Sequence, residues 1–137
     1  MWAQFTGFVP TMYGNWTIPA NRFARHGKSY REMRELWQFT KLIRSKNAGP
    51  FELTFDIMFK DRESYERVLK SRVVSAERIA QLYGVPVAEV RLFEIEQIDT
   101  LKFSIPRKVF SGDVADTDVY GCQFHGPLVR LLVTEDE

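Results

Sequence analysis

Arg44-Ser45-Lys46-Asn47-Ala48-Gly49-Pro50 runs straight into Phe51-Glu52-Leu53-Thr54-Phe55-Asp56-Ile57-Met58-Phe59. In the second half Leu53, Phe55, Ile57 and Phe59 alternate with Thr54, Asp56, Met58 and Lys60, the two-residue period of a strand with one strongly apolar face. That apolar density suits a central strand. Upstream, Met33, Leu36, Trp37, Thr40 and Ile43 recur at helical spacing, while Lys41, Arg44 and Lys46 stand where cations suit the carbonyl end of a helix. The reading is a helix from Ser29 to about Lys46. Ser29-Tyr30-Arg31-Glu32 opens it with capping-box spacing, and Asn47, Gly49 and Pro50 close it.

Beyond the strand, Asp61 and Ser75 are placed as N-caps of two further helices. The first turns Tyr65, Val68 and Leu69 inward; the second turns Ile79, Leu82 and Tyr83 inward and ends at Gly84, before Pro86. Val90 to Gln97 and Thr100 to Ile105 read as strands, joined as a hairpin around Ile98-Asp99, and Pro127 to Thr134 as a last strand. This order predicts an α+β fold: a single domain over residues 28–137, with a mostly antiparallel sheet of about four strands and helices packed on one face. Residues 1–27 read as an irregular arm, broken by Pro10, Gly14, Pro19 and Gly27. Its rings, Trp2, Phe5, Phe8, Tyr13, Trp16 and Phe23, have no sustained period, which suits either covering the arm's own domain or docking on a partner or a second copy.

With 137 residues, 45% of them hydrophobic and 27% charged, and a formal net charge of +1, nothing draws the chain toward a polyanion. Nucleic acid is not an expected partner: Thr54 and Asp56 occupy the polar side of the central strand, where a stacking platform needs aromatic and basic residues. No apolar run approaches the roughly 18 residues that span a bilayer, so no membrane association is expected. A single cysteine, Cys122, rules out an intramolecular disulfide and any CxxC motif. It is expected to be a buried thiol in a reducing, cytoplasmic setting.

Chemistry concentrates in two polar stretches. Between the last two strands, Ser111 to Gly126 carries Asp113, Asp116, Asp118 and His125, donors of the kinds that bind divalent ions or move protons. The spacing is not that of an EF-hand, and no second histidine completes a zinc set, so no metal is assigned. The carboxylates equally suit turn capping by bonds from backbone amides. In the opening heptapeptide, Arg44, Lys46 and Asn47 suit capture of a carboxylate or phosphate, although a helix C-terminus is the wrong end for an anion. The same cations can instead pair with Asp113, Asp116 or Asp118. The candidate set is therefore Asp116, Asp118 and His125 for catalysis and Arg44, Lys46 and Asn47 for binding a small-molecule carboxylate, with the cofactor unknown.

Three pieces taken together carry a resemblance. They are Ile43-Arg44-Ser45-Lys46-Asn47-Ala48-Gly49-Pro50-Phe51-Glu52-Leu53-Thr54, Leu82-Tyr83-Gly84-Val85-Pro86, and Asp116-Thr117-Asp118-Val119-Tyr120-Gly121 followed by His125 and Pro127. Over residues 36–134 the chain resembles a small domain family of unknown function, often encoded beside, or fused behind, acyclic-terpene-utilisation (AtuA-type) proteins. The resemblance implies an accessory subunit that works with such a large partner on a branched or terpenoid acid or its thioester. It transfers no catalytic residues. A self-sufficient metal-dependent lyase or hydrolase and a non-catalytic interaction module are the other readings that the residues allow.

Overall fold

The structure, a computed structural model, describes residues 33–134. The aromatic arm of residues 1–27 and the Ser29 to Glu32 capping box lie outside the described residues. In chain order the elements are β1 (Met33–Glu35), a 3-10 turn (Leu36–Phe39), β2 (Thr40–Asn47), β3 (Glu52–Phe59), α1 (Arg62–Ser71), α2 (Ala76–Tyr83), a 3-10 turn (Val87–Glu89), β4 (Arg91–Ile95), a 3-10 turn (Glu96–Ile98), β5 (Thr100–Pro106), the short α3 (Gly126–Val129) and β6 (Leu132–Thr134). Four strands form an antiparallel sheet in the order β2-β3-β5-β4, and β1 pairs with β6 in a separate two-stranded sheet. The architecture is α+β.

The central position expected of Leu53 to Phe59 is the one β3 takes, hydrogen-bonded on both edges. Its alternation puts Leu53, Phe55, Ile57 and Phe59 in the core with Leu101, Phe103 and Ile105 of β5. The Phe55 and Phe103 rings stack at 4.3 Å, Tyr83 of α2 tilts onto both, and Tyr65 of α1 meets Phe59 edge-on. Both helices thus cover the same sheet face. Each begins at its expected cap: the Asp61 carboxylate accepts from the Ser64 amide at 2.8 Å, and the Ser75 hydroxyl from the Arg78 amide at 3.2 Å. The hairpin between β4 and β5 turns through Asp99 at φ 48°.

Two expectations fail. The helix ending near Lys46 is, over its second half, the strand β2, and Asn47 to Pro50 lead into a hairpin turn closed by a bond from the Ala48 amide to the Glu52 carbonyl at 2.9 Å. The misleading signal has a physical origin. The β2–β3 register slips between Thr40 and Leu42, so Thr40 opposite Phe59 and Ile43 opposite Ile57 point the same way at a spacing of three. A β-bulge therefore imitates a helical stripe. The trailing strand is also shorter than expected: Pro127 occupies the first turn of α3, where its missing N–H is harmless, and only Leu132–Thr134 remain extended. Among the described residues no helix is long and apolar enough to cross a membrane.

Candidate functional site

Because β2 is a strand, its successive side chains leave on opposite sides. Ser45 and Asn47 lie opposite Phe55 and Leu53 on the covered face, whereas Arg44 and Lys46 lie opposite Asp56 and Thr54 on the other. The proposed binding trio is thereby split. Arg44 donates from Nε to Asp56 Oδ2 at 2.8 Å, and Lys102 stands 3.6 Å from the other carboxylate oxygen. Burial would raise the Asp56 pKa, but the Arg44 hydrogen bond and the Lys102 charge outweigh it and hold the carboxyl below its ordinary range. Neither Arg44 nor Lys46 reaches Asp113, Asp116 or Asp118.

The cation that does is Arg107, immediately after β5. Its side chain and that of Asp116 are each only 1% exposed, paired at 2.7 Å. Arg107 Nε donates to the Val109 carbonyl at 2.9 Å, Nη1 to Asn47 Oδ1 at 2.6 Å, and Nη2 also to the Asp118 carbonyl at 3.1 Å. The Phe124 ring lies against the guanidinium at 5.2 Å. Asn47 turns its amide nitrogen to Ser111 Oγ at 3.2 Å and the Val119 carbonyl at 2.6 Å, so both ends of the amide face complementary groups. Its backbone N–H donates to the Tyr120 carbonyl at 3.2 Å. One arginine and one asparagine thus pin the long loop after β5 to the end of the sheet.

The loop carboxylates are occupied in the same way. Asp116 Oδ2 accepts from the Gly112 amide and Oδ1 from the Asp118 amide, each at 2.9 Å. Those two amides, with Arg107 behind them, hold the Asp116 pKa below its ordinary value against the burial that would raise it. Asp118 accepts from the Cys122 and Gln123 amides at 3.2 and 2.7 Å, and Asp113 from the Ala115 amide at 2.8 Å. All three act as turn caps. His125 belongs to a different contact: its backbone N–H donates to Ser45 Oγ at 3.2 Å, and its buried Nδ1 has no hydrogen-bond partner. Cys122, expected to be buried, is exposed at the loop surface. Among the described residues no three of His, Cys, Asp or Glu gather where they could hold a metal ion.

Sequence reasoning missed Arg107. The available signal was arithmetic: three aspartates in one connection call for a cation, and Arg107-Lys108 are the basic residues leading into it. Acid should expose the arrangement. Because Asp56 and Asp116 are depressed in the folded state, they stabilise it fully above their ordinary value of 3.8, and this stability is lost as pH falls through the lowered folded-state values. Urea midpoints measured against pH should drop on that limb, with a shallower drop in Asp116→Asn; an unchanged limb in the variant would remove Asp116 from the account.

The loop's polarity is inverted. Arg107, Asp116 and the Asn47 amide point inward, while Tyr120 at 78% exposure, Phe51 at 66%, and Val114, Val119 and Phe110 point to the outside. Phe51 and Phe110 touch, with ring centroids 5.9 Å apart. A cavity of about 210 Å³ opens between the end of α2, the end of β5 and the loop. No curated protein and no solved structure matches the chain. The family described as Domain of unknown function (DUF4387) matches residues 36–132, which takes in β2 through the start of β6 with the pinned loop, and the chain belongs to that family.

Proposed function

We propose that this chain is an accessory subunit that docks on a larger protein of the AtuA type and works with it on a carboxylate or acyl-thioester substrate, without supplying the reacting acid and base itself. The observation that carries the reading is the inverted loop. A catalytic loop turns its ionisable groups toward a substrate; this one spends Asp116 and Asp118 on its own shape, is tied down by Asn47 of β2, and displays Phe110, Val119 and Tyr120. Exposed apolar side chains in mutual contact, as Phe51 and Phe110 are, are costly unless something covers them. The identity of the partner rests on the resemblance of residues 36–134 to domains that accompany AtuA-type proteins. Val109 and Ala115 of the cavity lining are chain neighbours of the exposed Phe110 and Val114, so a partner seated on those side chains would also meet the cavity.

Co-expression with an AtuA-type large protein, followed by size-exclusion chromatography, tests this reading. Co-elution is expected for the natural chain and its loss for Tyr120→Asp, whose backbone bond to Asn47 is retained. A large protein that is fully active alone and never co-elutes overturns the proposal. So does a chain that dimerises by itself and is dispersed by Tyr120→Asp, because the patch would then serve a second copy.

A further inference from the structure

The cavity of about 210 Å³ is walled by Leu53, Tyr83, Val85, Ile105 and Phe124, with Ala115 at its outer side. An apolar cavity of about 150 Å³ already accommodates benzene, so the space here suits a tail of about six carbons. Two charges in the lining cancel: Arg107 is paired with Asp116, and four of its five guanidinium N–H groups are spent on Asp116, Asn47 and the Val109 and Asp118 carbonyls. Lys108 is different. It also lines the cavity, and its Nζ lies 2.9 Å from the place where a Cβ on Gly84 would stand, so the ammonium arches over the glycine between Tyr83 and Val85. Among the described residues no carboxylate forms an ion pair with it. Tyr83 does not compete for that charge: its hydroxyl donates to the Phe124 carbonyl at 2.8 Å, and burial pushes its pKa up, keeping it neutral.

An apolar chamber with one uncompensated cation at its edge fits a ligand with an aliphatic body and a single negative charge. We infer that this cavity binds a short-chain aliphatic monocarboxylate, with the tail among Leu53, Val85, Ile105 and Phe124 and the carboxylate on Lys108 Nζ. A phosphate ester fits less well, since its second charge would meet apolar walls and the Asp116 carboxylate, whose charge Arg107 already balances. The inference gives the carboxylate of the proposed function a seat in this chain, and rests on that reading only for the ligand's biological meaning. Binding itself needs no partner.

Lys108 also stands at the carbonyl end of α2, whose last turn contains no basic residue, so a purely electrostatic role toward that helix is the competing explanation. Titration of the full chain with hexanoate, followed by amide chemical shifts, separates the two. Saturable shifts in the millimolar range are expected around Tyr83, Val85, Lys108 and Phe124, with hexylammonium weaker by about tenfold or more. Lys108→Met should weaken hexanoate by a similar factor and leave hexan-1-ol unchanged, and Ala115→Phe, at an exposed lining position, should abolish both. No saturable shifts, equal affinity for hexanoate and hexylammonium, or unaltered hexanoate binding by Lys108→Met overturns the inference. Co-elution with the large protein is a separate readout, so failure of docking and failure of this site are distinguishable.

Discussion

Replacing Arg107 with leucine should lower the folding free energy by about 3–5 kcal/mol, the loss typical when one partner of a buried ion pair is removed. The side chain is 1% exposed and donates to four acceptors: the Asp116 carboxylate, Asn47 Oδ1 and the Val109 and Asp118 carbonyls. Leucine fills part of the space but donates nothing, which leaves the Asp116 carboxylate buried without its counter-charge and the Asn47 amide oxygen without its guanidinium donor. A domain of this size has on the order of 5–15 kcal/mol of stability in total, so the variant should sit near its unfolding threshold. Urea denaturation measures the loss. Arg107→Lys should recover little of it, because one ammonium cannot present the planar fork that meets Asn47 and Asp116 together. A loss below about 1 kcal/mol would mean that the loop holds its shape without this network.

The same residue marks where the sequence stopped being readable. What was legible depended on neighbours in the chain: the alternation in β3, the Asp61 and Ser75 caps and the turn between β4 and β5 are local signals, and each stands where expected. The β2 segment was misread because one bulge set Thr40 and Ile43 on the same side at a helical interval. Strand pairing with β3 then decided the conformation, and pairing is a long-range property that the local pattern does not contain. The candidate site failed in the same way. Arg44, Lys46 and Asn47 are adjacent in sequence, yet strand alternation sends the two cations to one face and the amide to the other. Asn47 finds its guanidinium partner 60 residues on. The turn-capping role of Asp116 and Asp118 was open to local reasoning, whereas their joint dependence on Arg107 required the fold.

Gly121→Ala should be the other strongly damaging single change, and its cause separates into two parts. Gly121 has φ +69°, a conformation that a non-glycine residue holds at a cost of about 1–3 kcal/mol. A methyl group there would also stand 2.5 Å from Asn47 Oδ1, 2.7 Å from Leu53 Cδ2 and 3.1 Å from the Asn47 backbone nitrogen. Two of these three atoms belong to the residue that ties β2 to the loop, so relief of the clash displaces either the bond to Arg107 or the bond to the Tyr120 carbonyl. Gly112 supplies the control: it has φ +88° in the same loop, with nothing within 4 Å of an added Cβ. Gly112→Ala should therefore show the backbone strain alone, and Gly121→Ala the strain plus the lost anchor. Urea unfolding of both variants measures the difference, and equal losses would show that close approach to Asn47 contributes nothing. The anchor has a functional reach as well. Tyr120 precedes Gly121 and is the most exposed aromatic of the rim, so a displaced anchor moves the side chain on which the proposed docking depends. Gly121→Ala, assayed at a temperature where it remains folded, should then co-elute less with the proposed large partner than Gly112→Ala does.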